Sequence, residues 1–155
     1  MLVFDLDMTV IDTSHRIRFL ADGSQDIDDW VRKCTPEYIM QDRLLPLANY
    51  WKNQQSIGKK IAVITSRIMT AADYRYLDDN NLSYYFLLSR LENDRRPCHE
   101  YKRAQFRRLH IVTGIPYPYM RYFEDNEACL DMARKLGVNC FDAKVYNKLR
   151  IEKLA

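Results

Sequence analysis

Five short runs of apolar, β-branched and aromatic residues punctuate the chain: Leu2 to Phe4, Ile61 to Ile64, Tyr84 to Leu88, Tyr119 to Phe123 and Asn139 to Phe141. The stretches between them carry their apolar residues at helical spacing, and this exchange of periods predicts an α/β fold. Leu44, Leu47, Tyr50 and Trp51 share one helical face, with Pro46 setting the first turn and Gly58 stopping the helix before the second strand. Thr70 followed three residues later by Asp73 has the form of a capping box, opening a helix that ends near Asn80 and Asn81. Beyond the fourth run, Asn126 is placed to cap a helix with Cys129, Met132, Ala133 and Leu136 on one face and Gly137 as its terminator.

Parallel strands need crossover connections, almost always right-handed, so five such strands in the order 3-2-1-4-5 give the simplest Rossmann-like doubly wound sheet, with the first strand at its centre. Residues 12–42 exceed what one crossover requires and contain a predicted helix around Asp26 to Lys33 carrying Trp30. A small helical cap insert over the ligand end of the sheet is therefore expected. The 155 residues, 47% of them apolar, suit one domain spanning 1–155, large enough to bury roughly 70% of the surface its unfolded chain exposes. Internal repeats, low-complexity tracts and Gly/Ser linkers are absent from the sequence.

Charge and cysteine usage narrow the picture only slightly. The formal net charge of +3, from 24 basic and 21 acidic residues, does not by itself indicate polyanion binding. Cys34, Cys98, Cys129 and Cys140 form no CxxC pair, which argues against a zinc ribbon or a dense disulfide framework and reads as reduced core thiols. No stretch reaches the roughly 18 apolar residues of a membrane span, and MLVFDLD lacks the basic-then-apolar build of a leader, so a soluble, cytoplasmic protein is expected.

Open parallel sheets bind ligands beyond the carboxyl ends of their strands, where the strand order reverses. Here that end carries Asp5 and Asp7 on the first strand, flanked by Thr65, Ser66 and Arg67 on one neighbour and by Glu124 and Asp125 on the other. Any one of these residues could simply begin a turn. Their convergence from three adjacent strand ends points instead to an all-oxygen acidic site, which suits a hard cation such as Mg²⁺ better than zinc.

The segment VFDLDMTVID resembles the first signature of the haloacid dehalogenase superfamily, ITSR the second and YFEDNEACLD the acidic fourth, while Lys102 in HEYKRAQF can serve as the third. More narrowly, NDRRPCHEYK, with Asp94, Arg96 and Lys102, and DTSHR resemble the 3′-phosphatase domain of polynucleotide kinase-phosphatases and related phage phosphatases. Met8 stands where that group usually has Gly, and Glu124 replaces the first of two adjacent aspartates.

The resemblance implies a phosphatase in which Asp5 attacks phosphorus and Asp7 is acid and base, its pKa lying above that of Asp5. It implies Mg²⁺ held by Asp5, the backbone carbonyl of Asp7 and Asp125, with Glu124 adjacent. Thr65 and Lys102 would stabilise the transferred phosphoryl group. Arg67, Arg90 and Arg96, with Ser66, would bind neighbouring substrate phosphates, and the basic helix starting near Lys102 could extend that track. Lys102 and the arginines also have an ordinary reading as solvated side chains, His15 as a loop histidine and Trp30 as an anchor of the insert. The aromatics of YPYMRYF read as strand and core rather than as a base-stacking surface.

The expected substrate is a nucleic-acid 3′-phosphate, with a kinase or ligase as possible partner; a nucleotide or another small phosphomonoester is the alternative. A catalytically degenerate binding module of the same fold is the competing class. The absence of GxxxxGK[ST] leaves no P-loop kinase in this sequence.

Overall fold

Strand β1 (Leu2–Phe4) is buried on both faces, which is why its LVF sequence is apolar without alternation. In the computed structural model, which describes residues 1–152, it is followed by β2 (Ile11–Asp12), α1 (Ile27–Arg32), α2 (Pro36–Ile39) and β3 (Arg43–Leu44). Next come α3 (Leu47–Ser56), β4 (Ile61–Thr65), α4 (Ala71–Asp79), β5 (Phe86–Ser89) and α5 (Cys98–Thr113). The chain continues through β6 (Arg121–Glu124), α6 (Glu127–Lys135), β7 (Asn139–Asp142) and α7 (Ala143–Glu152).

The main sheet runs β5-β4-β1-β6-β7 with every pair parallel, which is the 3-2-1-4-5 order and the doubly wound α/β class read from the sequence. Its register aligns Phe4 with Val63 and Phe123, so the residues just past β1, β4 and β6 emerge side by side. Two strands start later than the apolar runs suggested. Tyr117–Tyr119 forms a 3₁₀ turn before β6, where Pro118 has no N–H to give a ladder, and β5 begins at Phe86.

The strand alternation builds two cores. On one face Phe4, Val63 and Phe123 pack with Leu47, Trp51 and Tyr76; on the other Val3, Ile64 and Tyr122 pack with Phe106, Leu109, Met132 and Ala133. Stacked rings run across the first face from Trp51 to Phe4 (4.9 Å), Phe4 to Phe123 (4.9 Å) and Phe123 to Phe141 (5.0 Å), tying β1, β6 and β7 laterally.

Helix boundaries follow their local chemistry. Asp26 caps α1 by accepting from the Asp29 N–H, Asn126 caps α6 by accepting from the Cys129 N–H, and Thr70 with Asp73 forms the capping box of α4. Pro46 gives α3 no side-chain cap. The buried Asn147 of α7 supplies it from a distance, accepting from the Leu47 N–H (2.9 Å) while donating to the Thr9 carbonyl (3.0 Å).

The segment between β1 and α3 is not helical alone. β2 and β3 pair antiparallel and close its two ends into a ribbon, while α1 and α2 lie between them. Two-residue strands are too short to show a period in sequence. Among the described residues no helix is long and apolar enough to cross a membrane.

Replacing Asn147 by Ala strands a buried N–H and a buried carbonyl. Urea denaturation of Asn147→Ala is expected to show a loss of about 1–3 kcal/mol with an unchanged m value.

Candidate active site

Asp5 follows β1 immediately and is buried, its own N–H donating to the Phe123 carbonyl (3.1 Å). One turn into α5, Lys102 reaches it with the side chain almost wholly enclosed. Its Nζ lies 2.8 Å from Asp5 Oδ1 and 2.5 Å from Glu124 Oε2. Glu124 Oε2 also accepts from the Tyr122 hydroxyl, while Oε1 accepts from the N–H groups of Asp125 (3.2 Å) and Asn126 (3.1 Å). Glu124 is thus fixed by partners on both oxygens. Asp125, half-buried beside it, has a distant cation in Lys144 at 4.0 Å.

One carboxylate oxygen each from Asp5, Glu124 and Asp125 lies within 4.8 Å of the others. Three acids meet one buried ammonium, that of Lys102, with the exposed Lys144 4.0 Å from Asp125, and every candidate metal donor is oxygen. The residues therefore fit a hard divalent cation. The Asp7 side chain lies outside this group, and the contact expected of Asp7 is through its backbone carbonyl.

The electrostatics follow from burial and neighbours. Burial, then the Glu124 charge, pushes the Asp5 carboxyl well above its ordinary range against the pull of Lys102. Burial and Glu124 likewise lift Asp125 to about 7. Burial also works against the Lys102 ammonium, but Asp5 and Glu124 outweigh it and hold Lys102 protonated well above its usual range. For Asp7 burial is again the largest influence and raises its pKa, yet the charge and hydrogen bonds of Arg67 override it and the net shift is downward. The expected order, Asp7 above Asp5, is reversed in the protein without a bound cation.

Arg67 explains that reversal. Predicted to meet substrate, it is buried and forks onto Asp7, with Nε 3.2 Å from Oδ2 and Nη2 on Oδ1. Its Nη1 donates to Asp73 Oδ1 (2.5 Å), and Asp42 Oδ2 lies 3.7 Å from Nη2. Asp42 is gripped in turn by Arg16 through Nε (3.0 Å) and Nη2 (2.7 Å), and Trp30 covers the Arg16 guanidinium at 4.5 Å. His15 sits 3.6 Å from Asp42 at the edge of this cluster. Trp30 and His15 therefore belong to the junction between the 12–42 segment and the strand ends.

The other expected substrate contacts are also engaged within the protein. Arg90 donates to the carbonyls of Ser66 (3.1 Å), Asp94 (3.1 Å) and Arg96 (2.6 Å) and lies over Tyr101, pinning the loop before α5. Arg96 forks onto Asp94 at the surface, so the two residues of the Asp-x-Arg pattern bind each other. Ser66 Oγ is 2.9 Å from Cys98 Sγ. Thr65 is fully buried at the strand end and its hydroxyl oxygen accepts from the Arg67 N–H (3.1 Å).

Sequence reasoning missed Tyr122, Asp42, Arg16 and the second duty of Asp73. Tyr122 stands two residues before Glu124 on one strand face, and Arg16 lay inside the noted DTSHR run; Asp42 carried no local signal. Met8 has φ of 55°, the left-handed region that favours Gly, which gives the physical reason a glycine suits this turn.

The five-stranded parallel sheet has the fold of haloacid dehalogenase-like hydrolases of known structure. A haloacid dehalogenase-like hydrolase from Streptococcus pneumoniae superposes with a TM-score of 0.65 at 12% identity, over 91% of this chain and 82% of the other. A chain of the Pnkp1/Rnl/Hen1 RNA repair complex does so with a TM-score of 0.63 at 24% identity, over 91% of this chain and 41% of that one. In sequence, the chain belongs to the bacteriophage T5 5′-deoxynucleotidase family, whose model matches residues 1–96. The 5′-deoxynucleotidase of Escherichia phage T5 is 34% identical over 85 residues, 52% of this chain and 35% of that relative, so this chain spans about a third of the curated relative's length. The family match thus includes Asp5, Asp7 and Thr65 and stops before Lys102 and Asp125.

Two outcomes test this geometry. Arg67→Ala leaves Asp7, Asp42 and Asp73 without their shared cation and is expected to cost about 3–5 kcal/mol in denaturant unfolding. Asp5 and Asp125 have raised folded pKa values, so their contribution to stability is full below about 4 and, for Asp125, gone once pH passes about 7. The Tm of metal-free protein should accordingly fall between those limits, and added Mg²⁺ should raise Tm more at the alkaline end.

Proposed function

We propose that this chain is a Mg²⁺-dependent phosphomonoesterase that works through an aspartyl-phosphate on Asp5. The observation that carries the reading is the buried Asp5 carboxylate held by the Lys102 ammonium beside Glu124 and Asp125. Asp5 attacks phosphorus, forming one O–P bond as the ester O–P bond breaks, and the hydroxyl of Thr65 and the Lys102 ammonium stabilise the charge on the phosphoryl oxygens. Asp5 and Asp125, with the Asp7 carbonyl, would hold the ion, which supplies charge neutralisation between carboxylate and phosphate. Glu124 keeps Lys102 and the Asp125 backbone in place.

Asp7 gives a proton to the leaving oxygen and recovers one from the water that cleaves the acyl-phosphate. Arg67 favours the carboxylate form of Asp7, which serves the hydrolytic half. The first half then requires that bound substrate draw the Arg67 fork away.

For the substrate we infer a deoxynucleoside 5′-monophosphate, supported by the family match and the name of the phage T5 relative. A 3′-phosphorylated nucleic-acid end, worked beside a kinase or ligase, is the second reading, favoured by the likeness to a chain of an RNA repair complex. Its main support in sequence is a track of arginines, of which Arg90 commits its guanidinium to the carbonyls of Ser66, Asp94 and Arg96. A cytoplasmic working place goes with either substrate.

Phosphate release from deoxynucleoside monophosphates, sugar phosphates and 3′-phosphorylated oligonucleotides, with Mg²⁺ and with a chelator, separates these readings. Metal-dependent turnover with the highest kcat/KM on a deoxynucleoside 5′-monophosphate is expected, falling to background in Asp5→Asn. Better turnover of the oligonucleotides would transfer the assignment to nucleic-acid ends. No turnover on any of them would leave a binding module of this fold.

A further inference from the structure

Beside the acidic site two thiols face each other. Cys98 is the first residue of α5 and Cys129 lies in the first turn of α6, and their sulfurs are 3.0 Å apart. Cys34 and Cys140 differ, directing their sulfurs to the backbone carbonyls of Trp30 and of Leu130 and Val138. Cys98 is half-buried and Cys129 fully buried, so a small oxidant meets Cys98 first. Ser66 Oγ also lies 2.9 Å from the Cys98 sulfur, and Lys102 stands one helical turn further along α5.

We propose that Cys98 and Cys129 form a peroxide-sensitive pair that closes to a disulfide between the heads of α5 and α6. The Cys98 sulfur attacks one oxygen of hydrogen peroxide; the O–O bond breaks, water leaves and Cys98 becomes a sulfenic acid. The Cys129 sulfur then attacks the Cys98 sulfur, the S–S bond forms, the S–O bond breaks and a second water leaves with the Cys129 proton. Two thiols are oxidised by two electrons and one peroxide is reduced to two waters. The setting favours this order of attack: the hydrogen bond from Cys129 lowers Cys98 against the opposing effect of burial, with Lys102 assisting, while the same contact and burial raise Cys129, so Cys98 is the thiol that ionises first.

The consequence follows from what the two helix heads carry. A disulfide brings its sulfurs from 3.0 Å to about 2.05 Å, a closure of roughly an ångström shared between side-chain rotation and the heads of the two helices. The first turn of α5 leads into Lys102, and α6 follows directly on Glu124 and Asp125. A misplacement of about an ångström at a reacting centre can cost up to about a hundredfold in rate, and part of the closure reaching Lys102 or Asp125 is enough for a smaller loss. The disulfide does not depend on the phosphatase reading; the loss of turnover does.

The test is titration of the reduced chain with hydrogen peroxide, followed by intact mass, peptide mapping without reduction and, on the same samples, phosphate release. The expected result is loss of two hydrogens, a Cys98–Cys129 linked peptide and a fall in turnover of about tenfold or more, all reversed by dithiothreitol. Cys129→Ser, or Cys129→Ala should the serine fold poorly, is expected to stop at sulfenic or sulfinic acid on Cys98. Mapping that shows no Cys98–Cys129 link in the wild-type chain would overturn the pair, whatever the activity. A fully linked sample with undiminished turnover would overturn its effect on the site, and a chain inactive before oxidation would count against the phosphatase reading instead.

Discussion

The ammonium of Lys102, enclosed between Asp5 and Glu124, is the contact on which the rest of the site depends. Two buried carboxylates at adjacent strand ends repel each other and resist ionisation, and Asp5 stays well above its ordinary range even with Lys102 pulling the other way. Lys102 offsets that repulsion, but it can do so only if α5 lies at one rotation and one height against β1 and β6. The contact therefore fixes helix register as well as charge, a use of buried ion pairs that net stability alone would not explain. Tyr122 and the N–H groups of Asp125 and Asn126 complete the arrangement by satisfying what remains of Glu124.

A second ionic cluster organises the opposite side of β1. Arg67 gathers Asp7, Asp42 and Asp73, and Arg16 adds a second cation on Asp42 under Trp30. Because Asp42 and Arg16 come from the ends of the 12–42 segment while Arg67 follows β4, this cluster docks the segment onto the strand ends. The two aspartates that follow β1 are thereby placed in opposite environments. Asp5 is crowded by acids and raised, Asp7 is held by a guanidinium and lowered, and the difference arises from neighbours rather than from the residues themselves.

The sheet makes both clusters possible. In-register pairing of β1 with β4 and β6 brings Asp5, Thr65 and Glu124 to one edge, and stacked rings of Trp51, Phe4, Phe123 and Phe141 hold those strands together beneath it. Met8 in a left-handed conformation then turns the chain sharply after Asp7. Its side chain carries a conformational cost of roughly 1–2 kcal/mol there that a glycine would not.

The sequence by itself determined the five strands, their order, the helix caps at Thr70 and Asn126 and the strand ends where acids collect, since each rests on period, local capping chemistry or the handedness of crossovers. It did not determine what the charged groups do. Arg67, Arg90 and Arg96 look alike as surface cations in a linear chain, yet two of them are fastened to internal partners that lie many residues away and the third to a neighbouring aspartate. Asp42, Arg16 and Tyr122 gave little or no local signal because their roles exist only once Asp7, Arg67 and Lys102 are brought beside them. Only the tertiary structure decided the relative pKa order of Asp5 and Asp7 and the meeting of Cys98 with Cys129, because burial and proximity between distant segments are properties of the packed chain and not of any stretch of it.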